Sequence, residues 1–316
     1  MLQLKSLTFS YNDAITLHPI DLTLEKGKIL AVIGESGCGK STLLKLIYGL
    51  LDANEGQIFW DNNKVVGPKY RLVPGMQMMK YLAQDFDLMP YITVAENVGT
   101  YLSNSNLSKK ANRITELLAV VEMSDFAAVK TKHLSGGQLQ RIALAKALAL
   151  NPEVLLLDEP FSHIDCSRKN RLRRNLYAFI KKNQITTIIA THDSTDVLAF
   201  ADETLVLKNG NLIQHNTTQK LYLEPKNSYV AGLFGDSNEI STQYFEDHFT
   251  TTTVLLFPYQ LVCVPKSKLK VTVKNSFFKG ANYLIEAIYE QGTLFFEHQS
   301  ALQNGQEVFL INRTAN

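Results

Sequence analysis

Gly34-Glu35-Ser36-Gly37-Cys38-Gly39-Lys40-Ser41-Thr42 follows directly on the apolar run Ile29-Leu30-Ala31-Val32-Ile33. A strand therefore feeds a glycine-rich loop, and the loop opens a helix over residues 41–48. Glycines let the backbone wrap closely around a polyphosphate, so that its N–H groups point inward and the positive end of the next helix faces the anion. Within such a loop Lys40 reaches the β- and γ-phosphates and Ser41 offers its hydroxyl to Mg²⁺, while Gly34, Ser36, Gly37, Cys38, Gly39 and Thr42 complete the cradle. At average residue usage the pattern arises by accident in roughly one chain in a hundred of this length, and the flanking strand and helix cut that further.

Outward from the loop, Val154-Leu155-Leu156-Leu157 is a short apolar run bounded by Pro152 and by Asp158-Glu159-Pro160. It suits a strand buried on both faces of a parallel sheet, and the carboxyl ends of such strands are where open α/β sheets place ligands. Adjacent side chains diverge at a strand end, so Asp158 can face the Mg²⁺ shell and Glu159 an attacking water. Taken alone, the segment also fits a surface turn with two solvated acids. Between the two motifs, Leu134-Ser135-Gly136-Gly137-Gln138 leads into an alanine- and leucine-rich helix former over 142–150. Ser135, Gly136, Gly137 and Gln138 at the start of that helix make a second anion site from backbone N–H groups and a hydroxyl. One phosphate does not need two cradles. A natural arrangement has the Ser135 site of one subunit closing over the nucleotide held by Lys40 of another.

With these motifs in this order, the chain resembles the motor subunit of ATP-binding cassette (ABC) transporters over about residues 1–230. The resemblance implies ATP and Mg²⁺ as cofactors and adds four residues. Tyr11 would stack on adenine, and Gln84 would sense Mg²⁺ and the γ-phosphate. His192, directly after Thr186-Thr187-Ile188-Ile189-Ala190-Thr191, would hold the γ-phosphate and position the water. Asp165, in Ser162-His163-Ile164-Asp165, would communicate across a dimer; Ile164 stands where that family more usually has Leu. The implied catalytic set is Glu159, His192, Lys40 and Gln84, with Mg²⁺ at Ser41, Gln84 and Asp158. Without the family, Tyr11 merely ends the alternation Leu2, Leu4, Leu7, Phe9, His192 is a polar residue at a strand end, and Gln84 is a surface residue.

Composition narrows the class. A chain of 316 residues, 45% apolar and 20% charged, has room for two domains and a substantial core. A net charge of +2 gives no basic footprint, so no direct nucleic-acid binding is expected. Cys38, Cys166 and Cys263 are odd in number and lack metal-ligand spacing, which points to a reduced compartment and no zinc site. Cys38 itself reads two ways: as a thiolate favoured near a helix N-terminus, whose oxidation would block nucleotide binding, or as a small residue filling the loop. The start, Met1-Leu2-Gln3-Leu4-Lys5, reads as a strand rather than a signal peptide, and no apolar run reaches the ~18 to 20 residues that span a bilayer. The expected location is the cytoplasmic face of the cell membrane, reached through other chains that cross it.

The expected fold class is α/β, a P-loop NTPase ABC cassette with a parallel sheet core, an antiparallel β subdomain and a helical subdomain, followed by a small C-terminal β-barrel-like domain. A nucleotide-binding domain is expected over 1–235, its helical subdomain over about 90–150, and a β-rich domain over 236–316, where short strand-like runs are punctuated by Gly280, Gly292 and Gly305. That last domain is similar to the regulatory domain of importer ATPases for ferric iron, polyamines, sulfate or maltose, although Phe257-Pro258-Tyr259 falls where that group often has Arg-Pro-Glu. It fits equally a dimer-stabilising extension that binds nothing small. The resemblance implies a homodimer beneath transmembrane permease subunits, contacted by residues 85–91, with a solute-binding protein in the same system, and ATP hydrolysis driving solute import. An exporter motor, a soluble ABC ATPase acting on nucleic acid and a non-hydrolytic adaptor are the alternatives.

Overall fold

The computed structural model describes residues 1–12, 14–83, 86–245 and 253–313. They form two compact units, Met1–Gln219 and Lys220–Asn316.

The first unit holds two sheets. β1 (Leu2–Tyr11), β2 (Ala14–Leu24), β4 (Glu55–Trp60) and β5 (Asn63–Val65) make an antiparallel sheet in the order β2-β1-β4-β5. The β4–β5 hairpin turns on Asp61 and Asn62, both with positive φ (47° and 66°), the conformation a two-residue hairpin loop requires and which Asp and Asn tolerate. The second sheet has six strands, β10-β9-β3-β8-β7-β6: β3 (Ile29–Ile33), β6 (Met79–Leu82), β7 (Val154–Asp158), β8 (Thr186–Thr191), β9 (Glu203–Lys208) and β10 (Asn211–Thr217). All neighbours are parallel except β10 on β9. Every residue of β3, β7 and β8 is buried, as their unbroken apolar runs require of central parallel strands. Both sheets share one core, in which Leu4, Leu17 and Trp60 meet Leu30, Val32 and Leu156.

Helix α1 (Lys40–Tyr48) follows the glycine-rich loop and packs on β6, β7 and β8. The stretch 90–150 is less helical than its periodicity suggests, resolving into α2 (Val94–Gly99), α3 (Leu107–Val120) and α4 (Gly136–Leu148) with short 3₁₀ turns between them. The ends are written in side chains: Asn106 accepts from Lys109 N at 2.8 Å to start α3, and Thr93 with Glu96 forms a reciprocal cap on α2. α4 packs on α2, α3 and β6. Helices α5 (Cys166–Lys182) and α6 (Ser194–Phe200) join β7 to β8 and β8 to β9.

Strand register fixes the site. Ile33 lies opposite Thr191, and Asp158 opposite Ala190. Gly34, Glu159 and His192, the residues just past those strand ends, therefore emerge together at one edge of the sheet.

The second unit begins with α7 (Thr218–Leu223, which straddles the division) and α8 (Ser228–Gly232), so it starts earlier than residue 236. Tyr222 explains why: its ring stacks on Phe257 at 4.6 Å and meets Phe234 edge-on at 5.7 Å. β11 (Asn238–Ser241) pairs with β12 (Thr253–Leu256). β13 (Leu261–Val264), β14 (Leu269–Phe278), β15 (Tyr283–Tyr289), β16 (Gly292–His298) and β17 (Glu307–Asn312) form an antiparallel sheet in the order β13-β17-β14-β15-β16. Its edge strands β13 and β16 come into contact, so the sheet curls toward a barrel around Leu269, Val271, Ile285 and Phe296.

Candidate functional site

The glycine-rich loop is held by close approaches that only glycine allows. A Cβ on Gly34 would stand 2.2 Å from the Leu207 carbonyl oxygen and 2.7 Å from Cys38 Sγ; Gly39, at φ +108°, would drive one to 2.6 Å from Leu17 Cδ2. Lys40 is buried within the loop, its Nζ donating to the carbonyls of Gly34 (2.7 Å) and Glu35 (2.9 Å). Its cation thus stands where loop and helix α1 converge. Cys38 is also buried, and burial pushes its thiol up from the ordinary value despite Lys40 nearby. That favours the filler reading over the thiolate one.

Ser41 Oγ donates to Asp158 Oδ1 at 3.0 Å, and Tyr81 donates from its hydroxyl to Asp158 Oδ2 at 3.2 Å. The Ser41–Asp158 oxygen pair is the hard-donor set that Mg²⁺ takes alongside phosphate oxygens and water. Among the described residues no cluster of three or more His, Cys, Asp or Glu offers a fuller cage. Gln84, the remaining expected metal and catalytic residue, lies outside the described residues.

His192 Nδ1 lies 2.9 Å from the Glu159 carboxylate. Glu159 itself has φ +50°, a left-handed conformation that costs about 1–3 kcal/mol in a non-glycine residue and needs support from its surroundings. Its N–H donates to Ala190 O at 3.0 Å, and its carbonyl accepts from Gln140 Nε2 at 3.0 Å and Ser162 Oγ at 3.1 Å. Behind His192, the buried Arg173 of α5 pairs with Asp193 and Asp196 at the start of α6. Arg173 Nε and Asp196 Oδ1, 2.6 Å apart, make a charge contact outside hydrogen-bond geometry. Burial pushes the Asp196 carboxyl up to about 6 even with the guanidinium beside it.

Tyr11, Thr16, Ser36, Gly37, Gly39, Lys40, Ser41, Thr42, Glu159 and His192 line one cleft of about 440 Å³. Tyr11 is 46% exposed at the end of β1, with its ring edge-on to Phe9 at 4.7 Å, so it is a strand terminus and a cleft wall at once. The second anion site is elsewhere. Ser135, Gly136, Gly137, Gln138 and Asp165 line a separate cleft of about 360 Å³ with Arg141, His163 and Arg168, and the two clefts share no residue. There Ser135 caps α4: its N–H donates to Gln138 Oε1 at 2.8 Å, and Gln138 N donates to Ser135 Oγ at 3.4 Å. Gly137 lets the helix press on the following turn, since a Cβ there would stand 2.5 Å from His163 O.

Residues 17–162 match the protein family described as ABC transporter. Solved structures agree with that match. A dimeric post-hydrolysis state of the ATP-binding cassette MJ0796, bound to ADP and Pi, is 28% identical at a TM-score of 0.60, covering 69% of this chain and 99% of its own. The dimeric structure of MJ0796 as a bacterial ABC transporter cassette is 29% identical at a TM-score of 0.61, with the same coverage. CbiO1 from Clostridium perfringens, part of the ABC transporter complex CbiONQ, is 28% identical at 0.61 over 71% of this chain and 90% of that one.

The first unit has the fold of an ABC ATPase cassette, and the family match spans residues 17–162 of it. The sequence reading set the glycine-rich loop between a strand and a helix, Asp158 and Glu159 at a strand end and Ser135 at a helix start, and the structure has them there, after β3, at the end of β7 and before α4. The sequence reading passed over Gln140, Tyr81 and the Arg173–Asp196 pair. Their local sequence gave one usable signal, a glutamine and an arginine inside otherwise apolar helix faces.

Proposed function

We propose that two copies of the chain bind two ATP molecules between them and hydrolyse them to power solute import through a separate permease. The observation that carries this reading is the separation of the two clefts. Lys40, Ser41, Glu159 and His192 face one, with Asp158 bonded to Ser41 behind it, while Ser135, Gly137 and Asp165 face the other. A second copy brings its Ser135 cleft over the first copy's Lys40 cleft, the arrangement that the dimeric state of the related cassettes favours.

In this reading Lys40 and the loop N–H groups hold the β- and γ-phosphates, and Tyr11 carries the adenine. Glu159 draws a proton from the attacking water while His192, on the same carboxylate, orients it toward the γ-phosphate. Ser41 and Asp158 would hold Mg²⁺, which when bound neutralises charge on the phosphate oxygens. Catalysis is then mainly positioning and charge stabilisation.

No helix among the described residues is long and apolar enough to cross a membrane, so permease subunits would supply the path. Tyr81, Phe86, Asp87, Tyr48, Tyr101 and Lys146 line a cleft of about 320 Å³ that suits a permease segment, with a solute-binding protein completing the system. Import rather than export rests on the β-rich second unit. There Phe257 and Tyr259 join Tyr222 in one stack of near-parallel rings, 7° apart, where the resembled importers carry charge. That stack favours packing over anion sensing at this point of the unit.

Ser135→Arg tests the reading. It should abolish ATP-driven dimerisation seen by light scattering while leaving ATP binding at Lys40 intact. Unchanged dimerisation would refute the two-subunit site.

A further inference from the structure

We propose that Gln140 is a positioning residue for hydrolysis, fixing Glu159 of its own protomer to the helix that carries the second phosphate cradle. Gln140 sits on α4, five residues past Ser135, and its side chain is 2% exposed. An amide buried this fully must spend both ends on partners. It does so on a single turn: Nε2 donates to the Glu159 carbonyl at 3.0 Å and reaches Ser162 Oγ at 3.4 Å, while Oε1 accepts from His163 N at 3.1 Å. The partners fix the orientation of the amide, because a carbonyl demands a donor and an N–H an acceptor.

What the amide grips is a strained residue. Glu159 holds φ +50° and carries the carboxylate 2.9 Å from His192. The backbone there has a neutral alternative in the extended region, which would swing that carboxylate away from the cleft. Glu159 N on Ala190 O anchors one side of the residue; on the other its carbonyl is held within its own turn by Ser162 and tied to α4 by Gln140. Gly137, one turn earlier on α4, presses against His163 O, so helix and turn move as one body. A triphosphate that engages Ser135 and Gly137 from a partner therefore acts, through Gln140, on the geometry of this protomer's own Glu159.

The inference rests on the reading of Glu159 as the base, and a double-mutant cycle tests it. Steady-state ATPase is measured on the parent, Gln140→Leu, Glu159→Gln and the double variant, with unfolding midpoints alongside. Gln140→Leu should lower kcat about tenfold or more, the effect of one lost buried hydrogen bond felt at the transition state, and leave KM for ATP within about twofold. In the Glu159→Gln background the same change should alter the residual kcat by less than about twofold, because a residue acting through Glu159 has nothing further to lose. Gln140→Glu keeps the size and the acceptor for His163 N but loses the donor; it should show the same kcat loss, and it replaces the leucine variant if that one does not fold. Losses that multiply, or a Gln140→Glu enzyme with full kcat, overturn the inference while Glu159 keeps its role. A parent with no ATPase activity overturns the reading beneath it.

Discussion

Arg173→Met puts a buried ion-pair cluster of the first unit to the test. The guanidinium is 4% exposed and sits between Asp193, 27% exposed, and Asp196, 2% exposed. Methionine keeps the length and the apolar contact with Phe161, whose ring lies 5.4 Å from the guanidinium carbon, but removes the charge. Asp193 can turn to water. Asp196 cannot, and its remaining bond is the one from Thr191 Oγ1 at 3.1 Å. Breaking a buried pair from one side costs about 3–5 kcal/mol.

The cost depends on pH, and its sign follows from the carboxyl. Asp196 is raised from 3.8 to about 6 in the fold. A raised carboxyl contributes stability that is complete below its unfolded value and drains as pH rises through the folded one. Without the guanidinium the folded value rises further, so the variant goes on losing stability above pH 6 where the parent has levelled off. The deficit is therefore small near pH 5 and grows above pH 6 by up to about 1.4 kcal/mol per pH unit, reaching about 2–3 kcal/mol at pH 8 and its full size only at higher pH. Urea unfolding followed by tryptophan fluorescence reads it selectively, since Trp60 is the chain's one tryptophan and is buried in the first unit. A deficit equal at the two pH values, or below about 1 kcal/mol at pH 8, would refute the reasoning, given the magnitude expected for a broken buried pair.

Three further outcomes follow from the site. Glu159→Gln should lose about 10²–10⁴ in turnover yet bind ATP and remain as a closed dimer; normal turnover would remove Glu159 from its role. Tyr81→Phe removes a 3.2 Å hydrogen bond to Asp158 worth about 1 kcal/mol, so half-saturation by Mg²⁺ should rise about fivefold with kcat little changed, and an unmoved Mg²⁺ titration would count against the contact. Because burial raises the Cys38 thiol, mild peroxide should leave ATP turnover intact; inhibition prevented by Cys38→Ala would restore the redox reading.

Much of the cassette was legible because its decisive segments carry their own physics. The run Ile29–Ile33 is too apolar to be anything but buried, and three glycines plus Lys40 directly behind it leave little besides a phosphate loop. Val154–Asp158 was equally plain. β6 was not: Met79-Lys80-Tyr81-Leu82 is four residues long with no alternation, and it is a strand because β7 is there to pair with. The start of the second unit escaped for a similar reason, since Tyr222 belongs with Phe257 and nothing in the intervening sequence says so. Gln140 and Arg173 gave no more than a polar residue on an apolar helix face, because their partners lie about 20 residues or more away and meet them only once β7, β8 and their helices are packed.

The claim that each ATP is shared by two copies meets its most direct test in a mixing experiment. Lys40→Ala spoils the phosphate loop and spares the Ser135 cradle; Ser135→Arg does the reverse. Each variant should be nearly silent alone, while an equimolar mixture should hydrolyse ATP, because a mixed dimer rebuilds one complete site from the sound halves. A mixture as silent as its parts, or Ser135→Arg protein as active alone as the parent, would contradict the account.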